Sequence, residues 1–170
     1  MLSTQLDPMK YYQHRFDRVE DYLHHRPPYL MVDRIESIES DHVTTVKNIG
    51  DDDFFIAGHF PGAPVVPGAM MQEMTTQSAG ILIAANYNPM SEFDTHDPYT
   101  NEYAIGVLVK VKQARYRGFA RLGDSLTIDV VLKEKVDEVF EFVGKVKSKG
   151  KTISQNRFQL TNILSTTLRG

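Results

Sequence analysis

The sequence predicts an α+β fold in which a curled antiparallel sheet wraps around one long central helix. Three observations lead to this prediction. Apolar and small residues occupy all sides of a helical run over 68–85, which is typical of a helix buried in a core. Later segments alternate apolar and polar residues, which indicates strands with one solvated face. Short polar turns between these segments favour an antiparallel meander.

The composition is ordinary for a soluble globular protein. The 170 residues suit a single domain over 1–170, with 41% hydrophobic and 24% charged residues. Cysteine is absent, which excludes disulfides, thiolate metal sites and cysteine nucleophiles. There is no leader-like start, no apolar run of ~20 residues and no excess of positive charge. We therefore expect a cytoplasmic protein that binds neither membranes nor nucleic acids.

The first predicted elements are a helix and two strands. A stripe of apolar side chains at helical spacing predicts an amphipathic helix over 8–25, within an N-terminal helical extension over 1–28. The members of this stripe are Tyr12, Phe16, Val19 and Leu23. Two prolines end the helix. Segments 29–38 and 42–49 then have the pattern of strands joined by a polar turn.

The middle of the chain is predicted to be a loop, the central helix and a second loop. Residues 51–67 are rich in glycine, proline and phenylalanine without a steady period, so we expect an ordered loop. The helix over 68–85 follows it. Residues 86–103 are polar and are predicted to be a long loop insertion. Strands follow from residue 107, and the last one is expected to end near Ile163.

The candidate chemistry begins in segment 58–68. His59 is a side chain of the type that titrates near neutral pH, so it can accept a proton at working pH. The surrounding prolines and glycines restrict the loop, as a preorganised base requires. Pro67 and Gly68 stand where the helix begins. Unpaired backbone N–H groups there can hold an oxygen that becomes an enolate.

Glu73 and Gln77 lie one helical turn apart in the predicted central helix. Burial favours the neutral form of a carboxyl group, which can then act as a general acid, and Gln77 can orient it by a hydrogen bond. A base, an oxyanion donor and a separate acid suit proton removal next to a thioester carbonyl, with loss of a hydroxyl from the next carbon. The residues alone leave open whether His59 and Glu73 are structural instead.

A long motif resembles a known family. The spacing Gly58-His59-Phe60-Pro61-Gly62-x-Pro64-x-x-Pro67-Gly68, followed by Glu73 and Gln77, is similar to the active-site motif of the bacterial 3-hydroxyacyl-acyl-carrier-protein dehydratases. Segments 25–34, 46–48 and 121–124 resemble the flanking parts of that family. The resemblance extends over residues 19–163.

The resemblance implies a hot-dog fold and a homodimer with shared active sites, in some members a trimer of such dimers. The histidine matching His59 would act on the α-carbon, and the acid matching Glu73 would come from the neighbouring subunit. The N–H of Gly68 would polarise the thioester carbonyl, and the carbonyl oxygen of Val65 would orient the imidazole. The other supporting positions of the motif are Phe60, Pro67 and Gln77.

The implied reaction converts a (3R)-3-hydroxyacyl thioester on acyl carrier protein into the trans-2-enoyl thioester. The family uses no metal or organic cofactor. Glutamate at position 73, in place of aspartate, resembles the branch that only dehydrates. Two alternatives remain: a thioesterase or coenzyme A-thioester hydratase on the same fold, and an acyl-binding module without catalysis. The intact set of His59, Glu73 and Gly68 favours the dehydratase.

A basic stretch over 104–123 contains no acidic residue. By itself this pattern fits a solvated strand face. The resemblance adds a second interpretation, because acyl carrier protein is acidic and a basic strand could bind it. The candidate docking residues are Arg115, Arg117 and Arg121.

Overall fold

The computed structural model describes residues 9–97 and 101–169. It contains a six-stranded antiparallel sheet and a long helix, α1, at Gly68–Asn86. The strands are β1 (Arg34–Ile38), β2 (His42–Asn48), β3 (Tyr103–Tyr116), β4 (Ser125–Val136), β5 (Val139–Ser148) and β6 (Lys151–Leu164). Their order in the sheet is β1-β2-β4-β5-β6-β3. A 3-10 turn at Val19–Asp21 and a four-residue helix, α2, at Thr166–Arg169 complete the elements. Within the described ranges, no helix is long and apolar enough to cross a membrane.

Helix α1 is the centre of the core, as the sequence predicted. Every residue from 74 to 85 is buried. The helix begins after Pro67 and ends where the N–H of Tyr87 donates to the oxygen of Ile83 at 2.7 Å. Its first two turns are less covered, since Ala69 is exposed and Glu73 is only partly buried. One side of the N-terminal part of α1 is therefore open in the single chain.

The predicted alternation of the later strands is confirmed. In β4, Leu126, Ile128 and Val130 are fully buried, whereas the intervening Thr127 and Asp129 are only partly buried. The rings of β5 that were predicted to share a face, Phe140 and Phe142, are both fully buried. The sheet thus has one face on the helix and one face toward solvent.

The free edge of β3 is long and carries exposed apolar side chains among its basic ones. β3 pairs with β6 on one side, and no strand of the described residues pairs with its other side. Leu108, Val109 and Val111 are exposed there, Val109 by 52%. Edges of this kind are open to pairing with another chain unless charges or prolines protect them. β1, at the opposite edge, is only five residues long and carries Arg34 and Glu36.

The amphipathic helix predicted over 8–25 is wrong for its described residues. Residues 9–18 contain no helix, and residues 1–8 lie outside the described ranges. The apolar stripe does reach the core, because Val19 and Leu23 are buried. The backbone, however, bonds to the end of α1 instead of to itself: the N–H of Tyr12 donates to Asn88 O at 2.8 Å and that of His14 to Ala85 O at 2.9 Å. These tertiary hydrogen bonds replace the intrahelical ones.

The strand predicted over 29–38 begins only at Arg34. The side chain of Gln77 accounts for the missing part, because its Oε1 accepts from the N–H of Met31 at 2.7 Å and its Nε2 donates to Tyr29 O at 2.8 Å. Backbone groups that could have entered the sheet are instead bonded to the helix. These two hydrogen bonds attach the segment before β1 to α1 at Gln77.

The predicted loop over 86–103 begins with the last residue of α1, Asn86, and its described part then has no helix or strand before Tyr103. Residues 98–100 lie outside the described ranges. It packs against the N-terminal segment. Arg26 donates to Thr95 O at 3.0 Å, and Nε2 of His96 lies 2.8 Å from Oδ1 of Asp21. Among the described residues, no cluster of three or more histidine or acidic side chains could hold a metal.

Candidate active site

The His59 side chain is oriented by its own loop. Its backbone oxygen accepts from the N–H of Val65 at 2.7 Å, and its Nδ1 lies 2.9 Å from Val65 O. A carbonyl oxygen can only accept, so Nδ1 carries the ring proton and Nε2 keeps a free lone pair. The ring of Phe60 stacks on the imidazole at 4.2 Å. The partly buried imidazole is thus held in the tautomer and orientation of a base.

The start of α1 lies directly after this loop. The N–H of Val66 donates to Ala120 O at 2.8 Å, which fixes the loop to the connection between β3 and β4. The N–H groups of Met70 and Met71 donate to Pro67 O, at 3.0 and 3.2 Å. The N–H of Gly68 has no acceptor in the part of the chain that the structure describes. It therefore remains available to an oxygen outside the chain.

Gly68 is required by a close approach of β3. A Cβ at this position would lie 3.0 Å from Cε1 of Tyr116 and 3.2 Å from its Cζ, which is too close for ordinary packing. The tyrosine ring therefore lies against the α-carbon of Gly68. A side chain at position 68 would move either the ring or the start of α1, and with it the free N–H.

Glu73 lies in the second turn of α1, and 17% of its side chain is exposed. Gln77 Nε2 donates to Oε1 of Glu73 at 2.8 Å. The amide of Gln77 cannot be reversed, because its own oxygen accepts from the N–H of Met31. Oε1 is therefore an acceptor, and in the neutral carboxyl group the proton resides on Oε2. Gln77 thus orients the carboxyl group as the sequence spacing predicted.

Two further side chains at this carboxyl group were not identified from the sequence. Nε2 of His25 lies 3.9 Å from Oε1 of Glu73, and the ring of Tyr29 stacks on that of His25 at 6.0 Å. Burial lowers the pKa of His25, although the Glu73 carboxylate opposes this effect. The pKa of the Tyr29 phenol is raised, first by burial and then by the charge of the Glu73 carboxylate and a hydrogen bond to it. No local spacing could reveal these contacts, since 48 and 44 positions separate the two residues from Glu73.

His59 and Glu73 make no direct contact within the described part of the chain. No hydrogen bond or ion pair joins the two side chains within the described ranges. Five residues advance a helix by about 140° beyond a full turn, so Glu73 points away from the side where Tyr116 covers Gly68. His59 and the free N–H of Gly68 form one half of the candidate site, and the carboxyl group of Glu73 with Gln77 forms the other half.

The three candidate docking arginines lie in two different places. Arg115 and Arg117 line a cleft of about 280 Å³ on the outer face of the sheet, together with Arg157. Arg121 lies instead in a depression with Val65, the residue that binds the His59 ring. Arg157 is already paired with Glu141. None of the three candidates has an acidic group within ion-pair distance in the described ranges.

Known proteins resemble this chain over most of its length. The model of the FabA-like domain family matches residues 23–157. A protein of Thiobacillus denitrificans named 3-hydroxyacyl-[acyl-carrier-protein] dehydratase FabZ is 30% identical over 146 residues, which cover 85% of this chain and 94% of the relative. A protein of the same name from Pseudothermotoga lettingae is 32% identical over 136 residues, 76% of this chain and 87% of the relative.

A solved structure confirms the fold. One chain of the dehydratase heterocomplex ApeI:P from Xenorhabdus doucetiae superposes with a TM-score of 0.74 at 19% sequence identity. The superposition covers 91% of this chain and 97% of that one. The curled sheet around a central helix is the hot-dog fold that the sequence predicted.

Proposed function

The chain belongs to the FabA-like domain family, and from this premise we propose that it is a 3-hydroxyacyl-acyl-carrier-protein dehydratase. The substrate is a (3R)-3-hydroxyacyl thioester on acyl carrier protein, and the products are the trans-2-enoyl thioester and water. Its relatives are named as dehydratases of acyl-carrier-protein thioesters, and we propose that the reaction serves fatty-acid synthesis or a related lipid or polyketide route. The orientation of the His59 ring is the observation that carries the proposal, because a purely structural histidine has no need of a free Nε2.

The chemistry follows from the two halves of the site. Nε2 of His59 takes the proton from the α-carbon, and the electron pair of that C–H bond forms the double bond. The N–H of Gly68 holds the thioester oxygen while negative charge builds up on it. Oε2 of Glu73 gives its proton to the hydroxyl on the β-carbon, which departs as water with the C–O electron pair. One proton must then return from the imidazolium to the carboxylate before the next turnover.

A second copy of the chain brings the halves together in this proposal. The unpaired edge of β3 supports a homodimer whose sheets join there, because pairing would cover its exposed apolar residues Leu108, Val109 and Val111. Each site then combines His59 and Gly68 of one subunit with Glu73 of the partner. The resemblance to the family leads us to propose trimers of such dimers as well.

Mixed dimers test the sharing of sites. His59→Ala and Glu73→Gln subunits, each inactive alone, are co-expressed with different tags. Each mixed dimer then holds one intact site, so random pairing should restore about a quarter of the wild-type rate. The matched control co-expresses two tagged copies of His59→Ala. If the purified mixed dimer stays inactive, the two residues do not act across the subunit boundary.

Arg121 is the proposed contact for the acidic carrier protein, because it lies beside the loop that holds His59. We expect Arg121→Glu to raise KM for the carrier-bound substrate about tenfold at low salt, with kcat little changed. Lys133→Glu, an equal change of charge at an exposed position of β4, is the control. A larger effect of Arg117→Glu than of Arg121→Glu would place the carrier on the outer-face cleft instead.

The assay that tests the proposed function uses purified protein and a 3-hydroxyacyl carrier thioester. Formation of the enoyl thioester supports the dehydratase. Release of a free acid would identify a thioesterase, and a preference for the coenzyme A thioester would identify a hydratase. Binding without any product would leave an acyl-binding module, for which the free imidazole nitrogen has no purpose.

A further inference from the structure

Three side chains meet the carboxyl group of Glu73. Gln77 donates to Oε1, His25 faces the same oxygen at 3.9 Å, and the ring of Tyr29 stacks on that of His25 at 6.0 Å. Burial and then the charge of the Glu73 carboxylate raise the pKa of the Tyr29 phenol. The dehydration chemistry described above uses only the first of these. His25 and Tyr29 both belong to the segment that Gln77 fastens to α1, since Gln77 also donates to Tyr29 O. The side-chain amide of Gln77 therefore positions both this segment and the carboxyl group of Glu73.

The tautomer of His25 follows from its surroundings. Nδ1 is buried and has no hydrogen-bond partner among the described residues. A proton there would be a buried, unpaired donor, and it would leave the lone pair of Nε2 facing the lone pairs of Oε1. The ring proton is therefore on Nε2, directed at Glu73. Burial, which lowers the pKa of His25, keeps this ring neutral at neutral pH.

The N–H of His25 Nε2 is directed at the carboxyl group on which negative charge forms when Glu73 gives up its proton. The proposed mechanism needs a proton on the carboxyl group before the reaction, and a neutral imidazole beside it does not oppose that protonation. As Oε2 releases its proton, negative charge appears on the carboxylate, and donors already aimed at it are stabilising in the transition state. A separation of 3.9 Å is long for a hydrogen bond, but contacts of this kind often shorten when substrate binds.

We propose that His25 and Tyr29 are positioning residues of the acid, whose N–H and O–H groups stabilise the carboxylate that forms on Glu73 as it protonates the leaving hydroxyl. This inference rests on the proposed dehydratase function. In this proposal both residues act on Glu73 and not on the acyl chain. Their loss is therefore expected to lower kcat while KM stays the same.

The experiment compares His25→Phe, which removes the donor, with His25→Gln, whose amide N–H can replace Nε2–H. We expect kcat to fall about tenfold in His25→Phe, and to remain within about twofold of wild type in His25→Gln. KM should be unchanged in both. His24→Phe is the matched control, because His24 packs on Phe93 and not on Glu73. Its kcat is expected to equal that of wild type.

Thermal melting of each variant shows whether it is folded. If His25→Phe is unfolded, Tyr29→Phe is the second test, since it removes a single hydroxyl and should also lower kcat at constant KM. The inference is overturned if His25→Phe keeps the wild-type kcat, if His25→Gln is as slow as His25→Phe, or if the losses appear in KM. Wild-type protein is measured in parallel, so an inactive wild type refutes the dehydratase itself and an active one confines the failure to His25 and Tyr29.

Discussion

Replacement of His59 by alanine is expected to lower kcat for dehydration by a factor of about 10²–10⁴. The variant lacks any group at the position of Nε2 that could take the α-proton, and neither a water molecule nor the carbonyl of Val65 can replace it at neutral pH. The measurement is the rate of enoyl formation from a 3-hydroxyacyl carrier thioester. Product binding should persist, because the N–H of Gly68 belongs to the backbone of α1.

The fold of this variant should survive. The imidazole makes one hydrogen bond, to Val65 O, and the loop keeps its backbone bonds between Val65 and His59 and between Val66 and Ala120. His42→Ala is a suitable control, because His42 lies on the outer face near Asp129. Near-normal turnover by a folded His59→Ala protein would remove His59 from the mechanism.

Glu73→Gln is the second substitution for which a loss of about 10²–10⁴ in kcat is expected. The side chains have nearly the same shape, and the amide oxygen of the new glutamine can accept from Gln77 Nε2 as Oε1 of Glu73 does. What disappears is the acidic proton of Oε2. We expect KM to change little, since the loss falls on the step in which the hydroxyl leaves.

A matched variant provides the control for this result. Glu92→Gln, at an exposed position of the loop after α1, makes the same chemical change away from the site and should be fully active. A Glu73→Gln enzyme that dehydrates at the wild-type rate would show that another group supplies the proton. In that case the arrangement around Oε1 would have a structural role only.

The sheet and α1 were predictable because the hydrophobic pattern that identifies each of them lies within its own segment of the sequence. Period-2 alternation marks the buried face of β4 regardless of what packs on it, and the all-round apolar run marks α1 as central. The segment before β1 was not predictable in this way. Its apolar residues do have helical spacing, but its backbone N–H groups donate hydrogen bonds to Ala85 and Asn88, which are about 70 residues away.

The same distinction between local and long-range contacts applies to the candidate site. The bond between His59 and Val65 and the bond between Glu73 and Gln77 each join residues within one loop or one helical turn. The helical spacing indicated the second bond, and the resemblance to the family implied the first. The place of Arg121 beside the His59 loop depends on how β3 leads into β4, and no pattern in the sequence indicated it. Contacts that the fold creates between distant segments could be found only in the structure.

The extended segment over 9–15 has a practical consequence for shortened versions of this protein. Its backbone and Arg15 occupy the last acceptors of α1, with Nη1 on Ala85 O at 2.9 Å and Nη2 on Asn86 Oδ1 at 2.8 Å. A version trimmed to the start of β1 would leave these carbonyls uncapped and would remove Val19 and Leu23 from the core. Crystallisation and screening work should therefore retain everything from Met9 onward, since the segment before β1 also holds His25 beside Glu73.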